Sequence, residues 1–272
     1  MDIKPTRPFD RAMIDLRYSD AELTLVRDRI VTFIADTVAD AGATGAILGL
    51  SGGIDSSLTA YLTVEAIGRE NLLGLILPGA VSSDASVSDA IAVVDDLDLH
   101  SETIDIEPIV DTVIDAAPPI DDEQLAVGNT RARARAVLSY YLANAENHVV
   151  IGTGNRTEAA IGYFTKYGDG AVDCHPIGNL YKSQVRQLAR HVGVPESIIE
   201  KPPSAELWAD QTDEDEIGID YDTLDAVVAL HIDGPLSADA TCRFLNCDRA
   251  VVDRVQELYR QSAHKRALPP VP

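Results

Sequence analysis

The 272-residue sequence predicts an α/β fold, a doubly wound and mainly parallel sheet with helices on both faces, on three observations. Short apolar runs alternate with segments of helical periodicity through the first half of the chain. The runs at 45–50, 72–77 and 148–151 are continuous rather than alternating, as strands covered on both faces are. Glycine or proline follows each run at its carboxyl end, where open parallel sheets bind their ligands.

The elements follow in order. Ser19-Asp20-Ala21-Glu22 is a capping box, and Leu23, Val26, Ile30, Phe33 and Ile34 continue it at helical spacing to an end near Gly42. The strand at 45–50 then turns through Gly52-Gly53 into a helix beginning near Ser56. A second strand, 72–77, is stopped by Pro78-Gly79 and precedes a helix over 86–97. Weaker alternation at 102–106 is read as a third strand, and 107–116 as a helix broken by Pro118-Pro119. A long helix over 128–146 bears Arg131, Arg133 and Arg135 and leads to the strand at 148–151. Helices are expected over 182–191, 221–231, 239–245 and 249–262. Two long polar stretches, 164–180 and 201–220, cluster Lys, Asp, Ser and Gln and read as functional loops rather than spacers.

Hydrophobic residues make up 46% of the chain and no linker or repeat divides it, so one domain over 1–272 is expected. No apolar run reaches the roughly 18 residues of a membrane span, and the first ten residues do not read as a leader; a cytoplasmic protein without a membrane partner is expected. Cys174, Cys242 and Cys247 form no CxxC pair and read as free thiols. The net charge of −22, from 44 acidic and 22 basic residues, argues against a nucleic-acid surface, which needs a basic footprint. Lysine is confined to Lys4, Lys166, Lys182, Lys201 and Lys265. An Asp-rich, Lys-poor chain resembles cytoplasmic proteins of organisms that balance external salt with internal salt, and a halophilic protein is expected.

Gly49, Leu50, Ser51, Gly52, Gly53, Ile54, Asp55 and Ser56 occupy the turn from the first strand into its helix. Adjacent glycines let the backbone approach a ligand, and the helix's first N–H groups point at whatever anion lies there. No Gly-Lys-Ser/Thr follows, so this is not the common nucleotide loop. Asp55 beside phosphates calls for a bridging cation, Mg²⁺. The segment resembles the pyrophosphate loop of the ATP pyrophosphatase superfamily, whose members split ATP into AMP and pyrophosphate.

Substrate is signalled further along. Gly152-Thr153-Gly154-Asn155-Arg156-Thr157-Glu158, Gly162-Tyr163-Phe164-Thr165-Lys166-Tyr167-Gly168-Asp169-Gly170, Asp173, Pro176, Lys182, Lys201-Pro202-Pro203-Ser204-Ala205-Glu206-Leu207-Trp208 and Gln211-Thr212-Asp213-Glu214 together resemble the ammonia-dependent NAD synthetases, from about residue 48 to 266. The resemblance implies the adenine nucleotide alpha hydrolase-like, Rossmann-like fold. It assigns ATP, the co-substrate, to residues 49–56 with Thr153, Lys182 and Ser204, and Mg²⁺ to Asp55 and Glu158. It places nicotinic acid adenine dinucleotide (deamido-NAD) on Arg133, Lys166, Asp173, His264 and Lys265. Asp55, Lys182 and Asp173 are the catalytic candidates, free ammonia is the expected nitrogen donor, and a homodimer with the substrate at its interface is implied. Arg131 and Arg135 read as solvent or salt-bridge residues, Trp208 as equally suited to packing, and Asn155-Arg156-Thr157 as a chance glycosylation pattern. Two rivals remain open at this point: another ATP pyrophosphatase, such as a tRNA thiolase or the synthetase part of a purine enzyme, and a non-catalytic nucleotide-binding module.

Overall fold

The computed structural model describes residues 14–120, 124–203 and 213–272. Helix α1, Asp20–Asp40, opens on the expected capping box, with the Glu22 carboxylate accepting from the Ser19 N–H at 2.8 Å. There follow β1 (Gly45–Gly49), α2 (Ile54–Ile67), β2 (Leu72–Ile76), α3 (Asp84–Leu97), β3 (His100–Thr103), α4 (Glu107–Ala116), α5 (Gln124–Glu146) and β4 (His148–Ile151). The four strands form one parallel sheet in the order β3-β2-β1-β4.

Alternation along each strand divides the interior. Ala46, Leu48, Leu72, Ile76, Val149 and Ile151 face α1, α2, α3 and a later helix, α7 (Lys182–Val192). Ile47, Leu73, Leu75, Leu77 and Val150 face α4 and α5 on the opposite side. Both faces of the sheet are covered at β1, β2 and β4, which is why these strands read as continuous apolar runs. The chain passes from β1 through β2 to β3, then crosses by α4 and α5 to the other side of β1. Strand order thus reverses between β1 and β4, and a crevice opens at their carboxyl ends.

Beyond β4 lie α6 (Arg156–Ile161), α7, α8 (Glu196–Ile199), α9 (Asp213–Ile217), α10 (Tyr221–Val227), α11 (Ala238–Leu245) and α12 (Arg249–Gln261). Ile161, Tyr221, Leu224, Val227, Val252 and Val255 form a further core among these helices.

Several boundaries differ from the sequence expectation, each for a local reason. The third strand is His100–Thr103 rather than 102–106. It lies at the sheet edge with mostly exposed side chains, so burial leaves no pattern on it. The chain nevertheless stays beside β2, with Ile104 N–H donating to Ile76 O and Ile106 N–H to Pro78 O, both at 2.9 Å. Helix α3 begins at Asp84 because Ser83 caps it, and α5 already includes Gln124. The helix expected over 221–231 is α-helical only to Val227 and continues as a π-helical segment, Val228–Ile232. The stretch 201–220 contains α9, whereas 164–180 is irregular and rests on α5 through the Thr165 hydroxyl, which donates to Asn129 Oδ1 at 2.7 Å.

Candidate active site

The glycine loop leaves β1 and enters α2 through Gly53, an N-cap residue with no side chain to occupy the first helical N–H groups. Serines shape it from within. Ser51 Oγ accepts from Gly53 N–H at 3.2 Å, while Ser56 and Ser57 donate to the Gly53 carbonyl at 3.0 and 2.8 Å. Gly52 holds a φ of 75°, and a Cβ there would stand 2.2 Å from the Ser86 carbonyl oxygen and 3.0 Å from Asp89 Cβ on α3. Gly52→Ala is therefore expected to displace the loop from α3. Its left-handed backbone alone costs roughly 1–3 kcal/mol. A lower melting temperature with loss of ATP binding by calorimetry checks this, and native ATP affinity would contradict it.

The turn after β4 supplies the facing wall. Asn155 caps α6, accepting from the Glu158 N–H at 3.0 Å while the Glu158 carboxylate accepts from the Asn155 N–H. Asn155 is buried, and its Nδ2 donates across to Asp55 Oδ1 at 2.9 Å. Lys182, the first residue of α7, completes the group: its Nζ lies 2.5 Å from Asp55 Oδ2 and 3.2 Å from Glu158 Oε1. Four side chains from the starts of three helices, α2, α6 and α7, therefore meet at the β1–β4 crevice.

Burial and the neighbouring charges shift both partners of this cluster. Burial pushes the Glu158 carboxyl up to about 7; Lys182 opposes the shift, while Asp55 and Asp213 add to it. Burial alone would lower the Lys182 ammonium, but Asp55 and Glu158 outweigh it and raise it above the ordinary lysine range. Asp213, 4% exposed, accepts from the Tyr221 hydroxyl at 2.8 Å, and burial raises its carboxyl too. Lys182 Nζ also lies 5.1 Å from the Tyr221 ring centroid. Among the described residues no group of three or more His, Cys, Asp or Glu is arranged to hold a metal. Asp55 and Glu158 offer hard carboxylate oxygens of the kind that would suit Mg²⁺.

The substrate-binding candidates fall into two places. Arg133 Nη2 donates to the Lys166 carbonyl at 3.3 Å, Lys166 Nζ to the His264 carbonyl at 2.5 Å, and Lys265 Nζ to the Gly162 and Phe164 carbonyls, both at 2.8 Å. Arg133, Lys166, Lys265 and the main chain of His264 thus gather around the loop at 162–167. Asp173 stands apart from the lysine cluster beside β4: it accepts from Val150 N–H at 2.7 Å and from the Tyr140 hydroxyl at 3.1 Å. Thr153 is half-buried in the turn between β4 and α6. Ser204 and Trp208 lie outside the described residues. Lys201 Nζ donates to Ser86 Oγ and Asp89 Oδ2, both at 2.8 Å, so its ammonium rests on the part of α3 that abuts Gly52. Arg131 is indeed in a salt bridge, with Glu107 at 2.7 Å, and Arg135 Nε donates to the Leu77 carbonyl at 2.9 Å.

Comparison with known proteins decides between the readings of this crevice. The profile of the NAD synthase family matches residues 26–269. The chain belongs to the NAD synthase family. An "NH(3)-dependent NAD(+) synthetase" of Halobacterium salinarum is 57% identical over 259 residues, 95% of this chain and 97% of the relative. One from Pyrococcus furiosus is 42% identical, covering 89% and 93%. Among solved structures, the NMN synthetase from Francisella tularensis superposes with a TM-score of 0.81 at 34% identity, over 94% of this chain and 99% of that one. The NH3-dependent NAD synthetase of Campylobacter jejuni gives 0.76 at 30% identity, over 92% and 98%. Membership in the NAD synthase family removes the tRNA thiolase, the purine enzyme and the non-catalytic module.

Proposed function

We propose that the chain forms NAD from deamido-NAD, ATP and ammonia, releasing AMP and pyrophosphate, with its chemistry in the β1–β4 crevice. The observation that carries this reading is Lys182 Nζ between Asp55 and Glu158, beside the first N–H groups of α2. A carboxylate cannot lose oxide to ammonia, so it is first activated. The nicotinate oxygen attacks the α-phosphorus of ATP, the bond to pyrophosphate breaks, and an acyl adenylate forms. Ammonia then adds to the acyl carbon, AMP leaves with the C–O bonding pair, and a proton is lost from nitrogen.

The loop at 49–56 holds the departing pyrophosphate on main-chain N–H groups, and Lys182 stabilises the charge developing there. Thr153 and Ser204 are assigned to the nucleotide. When bound on Asp55 and Glu158, Mg²⁺ supplies charge neutralisation at the phosphate oxygens. Arg133, Lys166 and Lys265 provide a cationic surface for the dinucleotide's phosphates and carboxylate, and His264 and Asp173 are assigned to the same substrate. Electrostatics and positioning carry both steps, and no protein nucleophile is required.

A second reading deserves a direct comparison, because one structural relative is titled an NMN synthetase. Purified protein given ATP, Mg²⁺ and ammonium is expected to convert the dinucleotide acid far faster than nicotinic acid mononucleotide, with AMP, pyrophosphate and NAD in equal amounts. Release of ADP and orthophosphate would overturn the mechanism; a preference for the mononucleotide would transfer the same mechanism to the smaller substrate.

Assembly forms part of the same proposal: a homodimer in which the exposed Arg133 reaches the dinucleotide of the other subunit while Asp55 acts within its own. Arg133→Ala and Asp55→Ala proteins, each inactive, are expected to regain about one intact site per hybrid dimer after joint unfolding and refolding. Recovery should not occur on simple mixing. No recovery in hybrids verified by mass would place Arg133 in its own subunit's site.

A further inference from the structure

Helix α7 begins at Lys182, and its N-cap residue, Tyr181, has no side chain suited to capping the helix's first N–H groups. A different element supplies the missing acceptor. Asp225, on α10, is completely buried; its Oδ1 accepts from Lys182 N–H at 3.3 Å and its Oδ2 from Ser183 N–H at 2.7 Å. The same Oδ1 accepts from the Thr157 hydroxyl at 2.5 Å, and Thr157 is the neighbour of Glu158 on α6. The Thr157 oxygen in turn accepts from Lys182 N–H at 3.2 Å. Eight residues further on, past the π-helical segment, Asp233 pairs with Arg156 and accepts from the Tyr181 hydroxyl at 2.9 Å. The segment from Asp225 to Asp233 therefore grips the starts of both α6 and α7.

A fully buried carboxylate is expensive to keep unless it is hydrogen-bonded and faces positive charge. Here three donors and the positive end of the α7 dipole meet it. Its helix neighbours Leu224, Ala226 and Val227 are buried apolar residues, so burial alone does not call for a carboxylate at this position. What the carboxylate adds is a fixed relation between the main chain of Lys182 and the helix that bears Glu158.

We propose that Asp225 is a positioning residue for the amidation: by joining the first turn of α7 to the Thr157 hydroxyl, it sets Lys182 Nζ against Asp55 and Glu158. This rests on the reading of Lys182 as the cation at the departing pyrophosphate. Asp225 touches no substrate and acts through the lysine.

The test is a double-mutant cycle in the whole protein, using Asp225→Asn, Lys182→Ala and their combination, with Thr157→Val as a milder probe. Asp225→Asn keeps the shape but turns an amide N–H₂ or a single acceptor toward the donors. It is expected to lower kcat about 10- to 100-fold, as small misplacements of reacting groups do, with KM for both nucleotide substrates within about threefold of wild type. In the Lys182→Ala background the same substitution should cost less than about twofold further, because the lysine through which it acts is gone. A kcat for Asp225→Asn equal to wild type, or losses that multiply fully in the double variant, would overturn the proposal. Where Asp225→Asn does not fold, Thr157→Val decides: a several-fold fall in kcat at unchanged KM supports the clamp, and unchanged kcat overturns it. A Lys182→Ala protein with native turnover would remove the reading of Lys182 and this proposal together. An impaired Lys182→Ala beside a native Asp225→Asn would remove this proposal alone.

Discussion

Lys182→Ala is expected to lower kcat by about 10³-fold, the scale on which a single preorganised charge at a developing anion operates in a site shielded from water. The lysine side chain is 3% exposed and both of its carboxylate partners are 17% exposed, so solvent does little of the screening that makes surface pairs nearly worthless. Asp55→Ala should lose turnover to a similar extent for a different reason, because it removes one of the two carboxylates assigned to Mg²⁺. The two variants separate on stability. Removing Lys182 leaves Asp55, Glu158 and Asp213 facing one another, and breaking a buried pair from one side costs about 3–5 kcal/mol. Its melting temperature should fall, and added Mg²⁺ should restore part of the stability but not the turnover. Single-turnover formation of pyrophosphate, measured beside thermal unfolding, checks both. Turnover within tenfold of wild type in Lys182→Ala would take the lysine away from the leaving group.

Raising KCl from 0.1 M to about 2 M is expected to increase the melting temperature by roughly 10 °C or more, at 2–4 °C per kcal/mol for a chain of this size. Acidic residues outnumber basic ones 44 to 22, so the chain carries a net charge of −22 and the folded surface repels itself. The Debye length falls from about 10 Å to 3 Å between 0.1 and 1 M salt, which extinguishes that repulsion. Salt also weakens attractive pairs such as Arg190 with Glu196 and Glu200, but these are exposed and contribute about 0–1 kcal/mol each. Repulsion therefore decides the sign. A melting temperature that stays flat or falls across this range would end the halophilic reading.

The parts of this arrangement that were legible in the sequence are those with a local signal. Buried parallel strands announce themselves as apolar runs, and Gly52-Gly53 before Asp55 marks an anion loop wherever the rest of the chain goes. Asn155 with Glu158 three residues on carries the local signal of a capping box, and only the structure adds that its amide reaches Asp55. β3 was misplaced because an edge strand with exposed side chains has no burial to imprint on it. Asp225 was beyond reach. Nothing beside it in sequence distinguishes a carboxylate that caps another helix from any acidic residue on an amphipathic one, and the contacts that define its role come from α6 and α7.

The reversal of strand order beside β1 has a consequence for the time course of folding. Asp55 and Asn155 are 100 residues apart in the chain, and Asp55 and Lys182 are 127 apart. The part of the sheet built from β1, β2 and β3 is assembled from neighbours in sequence, and its crossovers are short. Docking β4 on the far side of β1 closes a much larger loop, and non-local pairings of that kind are slow. Most secondary structure can thus be in place before the two turns that bear Asp55 and Glu158 face each other. On refolding, nucleotide binding should lag behind the recovery of helix, and a nascent chain that has not yet released β4 and α7 from the ribosome carries a glycine loop with nothing opposite it.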